Sequence, residues 1–350
     1  MILFTNKEER GFMRDQETEN RLRGLASLVG NTPLLAIELL YRGEKRTLFA
    51  KAEHLSMTGS IKDRMAYNIM RRGYELGTLL PSAPIIEVTS GNTGVSFAAM
   101  GCALGHPVTI LMPDWVSRER AMLIKGYGAE IIFFNSAEGG FAASISRAEE
   151  LAGATANAFL PAQFSNADNS EAHYQTTGLE IWQQLEACSL GADAFVAGVG
   201  TGGTIMGVGR FLRERNPAAK IHPLEPQGFP LTASDKRVDG HRIEGLSDGF
   251  LPPLLDLDVL DGMVRVDDGD AILMAQKLAN QLGLGVGISS GANLLGALQV
   301  QEEMGGEAVV VTVFADDNRK YLSTDLFRQV PPQEGFFTPE ITLLAVASFP

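Results

Sequence analysis

The chain has 350 residues, 45% of them hydrophobic and 20% charged, the proportions of an ordinary globular protein with room for two domains or one large α/β unit. Its formal net charge of −13 argues against nucleic acid and anionic membrane surfaces as partners, and no apolar run reaches the length of a membrane span. Cys102 and Cys188 belong to no C-x-x-C pair and the histidines show no metal-ligand spacing, so neither a disulfide framework nor a metal is expected.

Residues 1–20 are polar and of mixed charge and read as a loose arm; they lack the apolar core and cleavage site of a signal peptide, so a cytoplasmic protein is expected. A first ordered loop and strand follow at 28–35 and a second strand at 47–52, leading into Ser60-Ile61-Lys62-Asp63-Arg64. Ser60 and Asp63 have the spacing of a capping box, and Met65, Ile69 and Met70 continue as an apolar helical face. Lys62 then falls in the first helical turn, where unpaired N–H groups and the macrodipole disfavour a cation and depress its pKa. A lysine partly neutral near pH 7 suits Schiff-base chemistry; the plain alternative is a surface lysine in a frayed turn.

Beyond it, strands are predicted at 84–88, 107–112, 130–134, 194–197, 285–288 and 308–314. Helices are predicted at 95–104, 117–127, 141–152, 171–186, 205–215, 271–282 and 292–303. This alternation is the mark of a parallel sheet covered on both faces. The stretch 223–262, rich in Pro, Gly and Asp, reads as a long functional loop, and the last twenty residues read as peripheral.

Three loops follow strands and open helices. Thr89-Ser90-Gly91-Asn92-Thr93-Gly94 sets hydroxyl and amide side chains beside exposed backbone N–H groups, a ready site for a carboxylate. Gly198-Val199-Gly200-Thr201-Gly202-Gly203-Thr204 is small enough for several N–H groups to converge on a phosphate. It lacks the lysine of a P-loop but matches G-x-G-x-x-G, and Glu225 stands where a dinucleotide fold places its ribose acceptor. Gly287-Ile288-Ser289-Ser290-Gly291-Ala292 is the third, and Gln163-Phe164 adds a weaker signal in mid-chain.

A lysine tuned for a carbonyl, a carboxylate loop and a phosphate loop at strand ends suit pyridoxal phosphate and an amino acid. Together with the Asn166, His173-Tyr174 and Thr176-Thr177-Gly178 stretch, these motifs resemble the cysteine synthase/cystathionine β-synthase family of fold-type II pyridoxal phosphate enzymes, over about residues 24–328. The resemblance implies two three-layer α/β domains facing each other across the cofactor. A large cofactor-binding domain would take 22–55 and 167–330, a small mobile substrate-binding domain 56–166, with an arm at 1–21 and a tail at 331–350.

It also implies roles. Lys62 would hold pyridoxal 5'-phosphate as a Schiff base and, once released, act as the base at Cα, with Ser90 beside it among the catalytic candidates. Asn92 would bond the cofactor's ring oxygen. Thr89, Ser90, Gly91, Asn92, Thr93 and Gln163 would form the substrate site, and Gly200, Thr201, Gly202, Gly203 and Thr204 the phosphate site. Ser289, rather than Ser290, would face the pyridine nitrogen, and a neutral partner there favours losing a β-substituent. The implied reaction is β-replacement through an aminoacrylate: O-acetyl-L-serine and sulfide giving cysteine and acetate. Cystathionine β-synthesis or another ammonium-bearing nucleophile is the alternative, and a deaminating lyase of serine or threonine the second. The partners implied are an amino acid and a sulfide or thiol, in a homodimer. Neither a haem-binding segment nor a regulatory domain is expected. A non-catalytic relative is disfavoured because the lysine and carboxylate loops are intact.

Three segments depart from the family pattern: Leu224-Glu225-Pro226-Gln227-Gly228, the acidic loop from Glu244 to Phe250, and Ala315-Asp316-Asp317-Asn318-Arg319-Lys320-Tyr321. If Asp248 faces the site, its charge would disfavour sulfide anion and favour a nucleophile bearing an ammonium group.

Overall fold

The computed structural model describes residues 16–231 and 240–349, so most of the expected N-terminal arm lies outside the described residues. Its last part is not loose. Helix α1 (Gln16–Ala26) carries Glu17 and Glu19 in its first turn and Arg23 in its last, matching the macrodipole, and buries Leu22 and Leu25.

Strands β1 (Leu34–Tyr41) and β2 (Glu44–Lys51) form an antiparallel hairpin, and α2 (Lys62–Leu76) follows. Three β-α steps come next: β3 (Ile85–Val88), α3 (Asn92–Leu104), β4 (Val108–Pro113), α4 (Arg118–Gly126), β5 (Glu130–Phe134) and α5 (Gly140–Ala154). The helix expected at 171–186 is three pieces: α6 (Ala167–Ala172), a π-helical turn (His173–Gly178) and α7 (Leu179–Ala187). The packing at the interruption is close: a Cβ on Gly207 of the facing helix would collide with the Ser170 carbonyl oxygen and a Cβ on Gly178 would press on Phe211.

The remainder comprises β6 (Ala194–Gly198), α8 (Gly203–Arg215), β7 (Lys220–Pro226), β8 (Val264–Val266), α9 (Asp268–Leu282), α10 (Ile288–Met304), β9 (Val310–Val313) and β10 (Ile341–Phe349). The stretch expected as one loop thus opens with a strand. No strand forms at 285–288: Val286 makes a single bridge to Asp317, and α10 starts at Ile288. The missing Cβ of Gly287 leaves room there for the Asp316 carboxylate.

The strands build two sheets. One has the order β10-β1-β2-β9-β6-β7-β8, the other β3-β4-β5. In the larger sheet β10, β1 and β2 are antiparallel and the rest parallel, while the smaller is wholly parallel. The C-terminal residues are therefore the edge strand of the main sheet, along the full length of β1.

Alternation along β1 explains how the large sheet is sandwiched. Leu35, Ile37 and Leu39 join a core with α9 and α10, whereas Leu34 and Ala36 join the opposite core with α7 and α8. β6 is buried on both faces and reads as one apolar run. The smaller sheet packs α2 and α3 on one side and α5 on the other.

A buried ionic cluster ties α2 to the main sheet. The Arg64 guanidinium, 1% exposed, binds Glu53 with Nε at 2.6 Å and Nη2 at 2.7 Å, and binds both Glu180 oxygens at 2.7 Å. Lys51, at the end of β2, joins Glu180 at 2.7 Å. Burial alone would raise the Glu180 carboxyl, but Arg64 and Lys51 outweigh it and hold it at about 2. Arg64→Ala leaves Glu53 buried without its cation, and urea unfolding should show a loss of about 3–5 kcal/mol.

Candidate active site

The starts of α2, α3, α8 and α10 converge with the ends of β6 and β9 on one narrow cleft. Lys62, Thr89, Ser90, Asn92, Thr93, Gln163, Gly200, Thr201, Gly202, Thr204 and Ser289 all line it. Gly91 and Gly203 lie behind the wall: a Cβ on Gly91, at φ +142°, would run into the Arg120 side chain, and one on Gly203 into that of Asn169.

Lys62 is the first residue of α2, as its sequence suggests, but two parts of that reading change. No capping box forms. The Ser60 hydroxyl is buried without a hydrogen-bond partner among the described residues. The Asp63 carboxylate is taken by the Thr58 backbone N–H at 2.8 Å, the Thr58 hydroxyl at 2.6 Å and the Ser96 hydroxyl at 2.7 Å. The Lys62 pKa is indeed lowered, yet the dominant cause is burial; Asp316 and then Asp248 push it back up, and Arg120 adds to the lowering. Among the described residues no hydrogen bond or ion pair occupies its amine, which leaves Nζ available to a carbonyl carbon.

On the α3 side Thr93 donates to Gln163 Oε1 at 2.6 Å, and Gln163 Nε2 donates to the Val88 carbonyl at 2.6 Å. Thr89 Oγ1 accepts from the Gly91 N–H at 2.9 Å, holding the turn that exposes Ser90. Asn92 gives one N–H to Asp316 Oδ2 at 2.7 Å, while its Oδ1 is buried without a partner among the described residues.

At α8 the backbone is kept open by glycine: a Cβ at Gly200 would stand 2.5 Å from the Gly245 carbonyl, and Gly202 has φ +84°. The start of α8 thus presents N–H groups toward the cleft, as an oxyanion requires. Ser290 Oγ accepts from the Ala315 N–H at 3.0 Å and is committed, so Ser289 is the serine of the pair on the cleft wall. An unpaired amine, a glycine cup at a helix start and a neutral serine hydroxyl fit the carbonyl, phosphate and ring nitrogen of pyridoxal phosphate.

The dinucleotide alternative loses its acceptor. Glu225 lies buried in β7, accepting from the Leu231 N–H at 2.7 Å and from Arg265 Nε at 2.8 Å.

Other residues of the cleft escaped the sequence reading. Arg120, 1% exposed, is paired with Glu244, lies 4.5 Å above the Tyr321 ring and reaches within 3.7 Å of Asp316. Asn293 braces the ends of β6 and β9, accepting from the Gly198 N–H and donating to the Val313 carbonyl, each at 2.8 Å. Neither carries a local signal, since their meaning depends on segments distant in sequence.

The model of the pyridoxal-phosphate dependent enzyme family matches residues 25–316. The chain belongs to that family. Among its relatives, a Bacillus subtilis (strain 168) protein described as a probable cysteine synthase is 39% identical, over 86% of this chain and 96% of its own. A solved hydrogen sulfide-producing enzyme from Fusobacterium nucleatum is 52% identical with a TM-score of 0.90, covering 94% of this chain and 99% of that one. An O-acetylserine-dependent cystathionine β-synthase from Helicobacter pylori is 32% identical with a TM-score of 0.78, covering 87% and 98%. Among the described residues of this pyridoxal-phosphate dependent enzyme, no helix is long and apolar enough to cross a membrane.

Glu87, buried in β3, lies behind Gln163, its carboxyl oxygens accepting from the N–H groups of Val88 at 2.8 Å and Gln163 at 3.2 Å. Burial pushes it up to about 8 against the pull of those bonds. Unfolded, it ionises near its ordinary 4.5, so between there and about 8 the folded chain keeps a proton that the unfolded chain has released, and stability falls as pH rises through that window. Glu87→Gln should flatten this slope, measured as melting temperature across the same interval.

Proposed function

We propose that this enzyme catalyses β-replacement on a serine-type amino acid, with cysteine formation from O-acetyl-L-serine and sulfide as the reaction its curated relatives favour. The carrying observation is the single cleft that joins a pKa-lowered lysine to a carboxylate loop and a phosphate cup.

Bound there, pyridoxal phosphate supplies the electron sink that acidifies Cα and lets the β-substituent leave. Lys62 would hold it through Nζ. Gly200, Thr201, Gly202 and Thr204, with Gly203 opening the helix behind them, would grip the phosphate, and Asn92 the ring oxygen. Ser289 would face the ring nitrogen, its neutral hydroxyl keeping that nitrogen largely unprotonated. Thr89, Ser90, Thr93 and Gln163 would bind the substrate carboxylate and fix Cα within reach of Lys62, which takes the proton once freed. A base lowered toward neutral pH by burial is matched to that task. Segment 56–166 would close over the bound carboxylate and exclude water. A cytoplasmic homodimer completes the reading.

A second reading concerns the nucleophile. Asp248 lines the cleft, and its charge is felt at Lys62. With Glu244 and Asp316 nearby, the site is hostile to a sulfide anion and receptive to a neutral or ammonium-bearing nucleophile. Running the exchange so that sulfide leaves a β-thiol amino acid agrees with this charge and with the sulfide-producing relative at 52% identity.

Lys62→Ala should lower turnover more than about a thousandfold and abolish covalent retention of the cofactor, checked by mass spectrometry after borohydride reduction. Adding O-acetyl-L-serine, O-phospho-L-serine or L-serine to the purified enzyme should shift its visible band with one of them, and oxoacid release without a second substrate would instead mark a deaminating lyase. In Asp248→Ala, cysteine synthesis from sulfide should rise relative to replacement by homocysteine, measured as a ratio of kcat/KM. An unchanged ratio removes Asp248 from nucleophile choice.

A further inference from the structure

Asn169 is fully buried at the start of α6 and connects the two halves of the cleft through one amide nitrogen. Its Nδ2 donates to the Gln163 carbonyl oxygen at 2.8 Å and to Thr201 Oγ1 at 3.0 Å. The orientation of the amide is fixed by chemistry: a carbonyl oxygen only accepts, so the atom facing Gln163 is the nitrogen. Thr201 Oγ1 receives a second N–H, from Gly203 at 3.3 Å. With both acceptor positions of the hydroxyl engaged, its one proton is left to donate, and no hydrogen bond among the described residues uses it. Thr201 lines the cleft within the glycine cup.

We infer that Asn169 is a positioning residue that turns the Thr201 hydroxyl into an obligate donor for the cofactor phosphate and ties that grip to the substrate side at Gln163. The inference rests on the reading of Gly200–Thr204 as the phosphate site. Its physical content is polarity. An asparagine amide donates, so the threonine proton is directed outward; a carboxylate at the same place would accept that proton and withdraw it from the phosphate. The packing leaves little choice of residue, since Gly203 lies so close that a Cβ there would collide with the Asn169 side chain.

The test compares affinity of the apoenzyme for pyridoxal phosphate and for pyridoxal, which lacks the phosphate, by equilibrium dialysis. Asn169→Asp should weaken pyridoxal phosphate roughly tenfold to a hundredfold while changing pyridoxal by less than about threefold, the effect of one charge-assisted hydrogen bond. Thr201→Val, which removes the proton but keeps Asn169, should reproduce that phosphate-selective loss and serves if Asn169→Asp does not fold. Adding Asn169→Asp to Thr201→Val should cost little more. Parallel weakening of both ligands, or no weakening of the phosphate form, overturns the inference. If the wild-type protein fails to attach either ligand at Lys62, it is the cofactor reading that falls.

Discussion

Burying Arg64 against two carboxylates fixes where α2 begins, and everything chemical in this protein is measured from that point. Its planar fork is filled by Glu53 from the short turn after β2 and by Glu180 from α7, so the helix is located from two directions. Lys62 stands two residues before that anchor. A lysine has a long, rotatable arm and strong hydration, both of which oppose a defined position in a dry site. Fixing the neighbouring backbone by a bidentate ion pair, rather than holding the amine itself, leaves the amine unbonded and still well placed.

The same separation of duties runs through the electrostatics of the cleft. Burial draws the lysine toward its neutral form, and the acids at Asp316 and Asp248 draw it back. Arg120 is the counterweight. Fully buried, stacked over Tyr321 and paired with Glu244, it keeps part of that negative charge occupied. The cleft thus sets one buried amine among several carboxylates, with a buried arginine between them.

Much of this was legible in the sequence because its cause is local. The loops at Thr89–Thr93 and Gly200–Thr204 announce themselves by small and hydroxylated residues directly after apolar strands, and the β-α alternation fixes which sheet ends they occupy. What escaped notice depends on distant partners. Asp63 has capping-box spacing from Ser60, yet Ser96 and Thr58 offer three donors and win it. β10 looks like a tail because its partner β1 lies at the other end of the chain. The π-helical turn at His173–Gly178 packs against Gly207 of α8, which no window around the turn contains. Arg120 and Asn169 carry no local mark, since each acquires its role from a glycine elsewhere that leaves it room.

That room has an evolutionary consequence at Gly91. The Arg120 side chain passes where the Cβ of any other residue at position 91 would stand. The backbone adds a second bar, since φ +142° strains any L side chain there. Position 91 is thus closed twice, once by the arginine and once by its own conformation, and shortening Arg120 lifts only the first. Of the two residues it is therefore the arginine that has room to change, while the glycine stays fixed by the turn it makes.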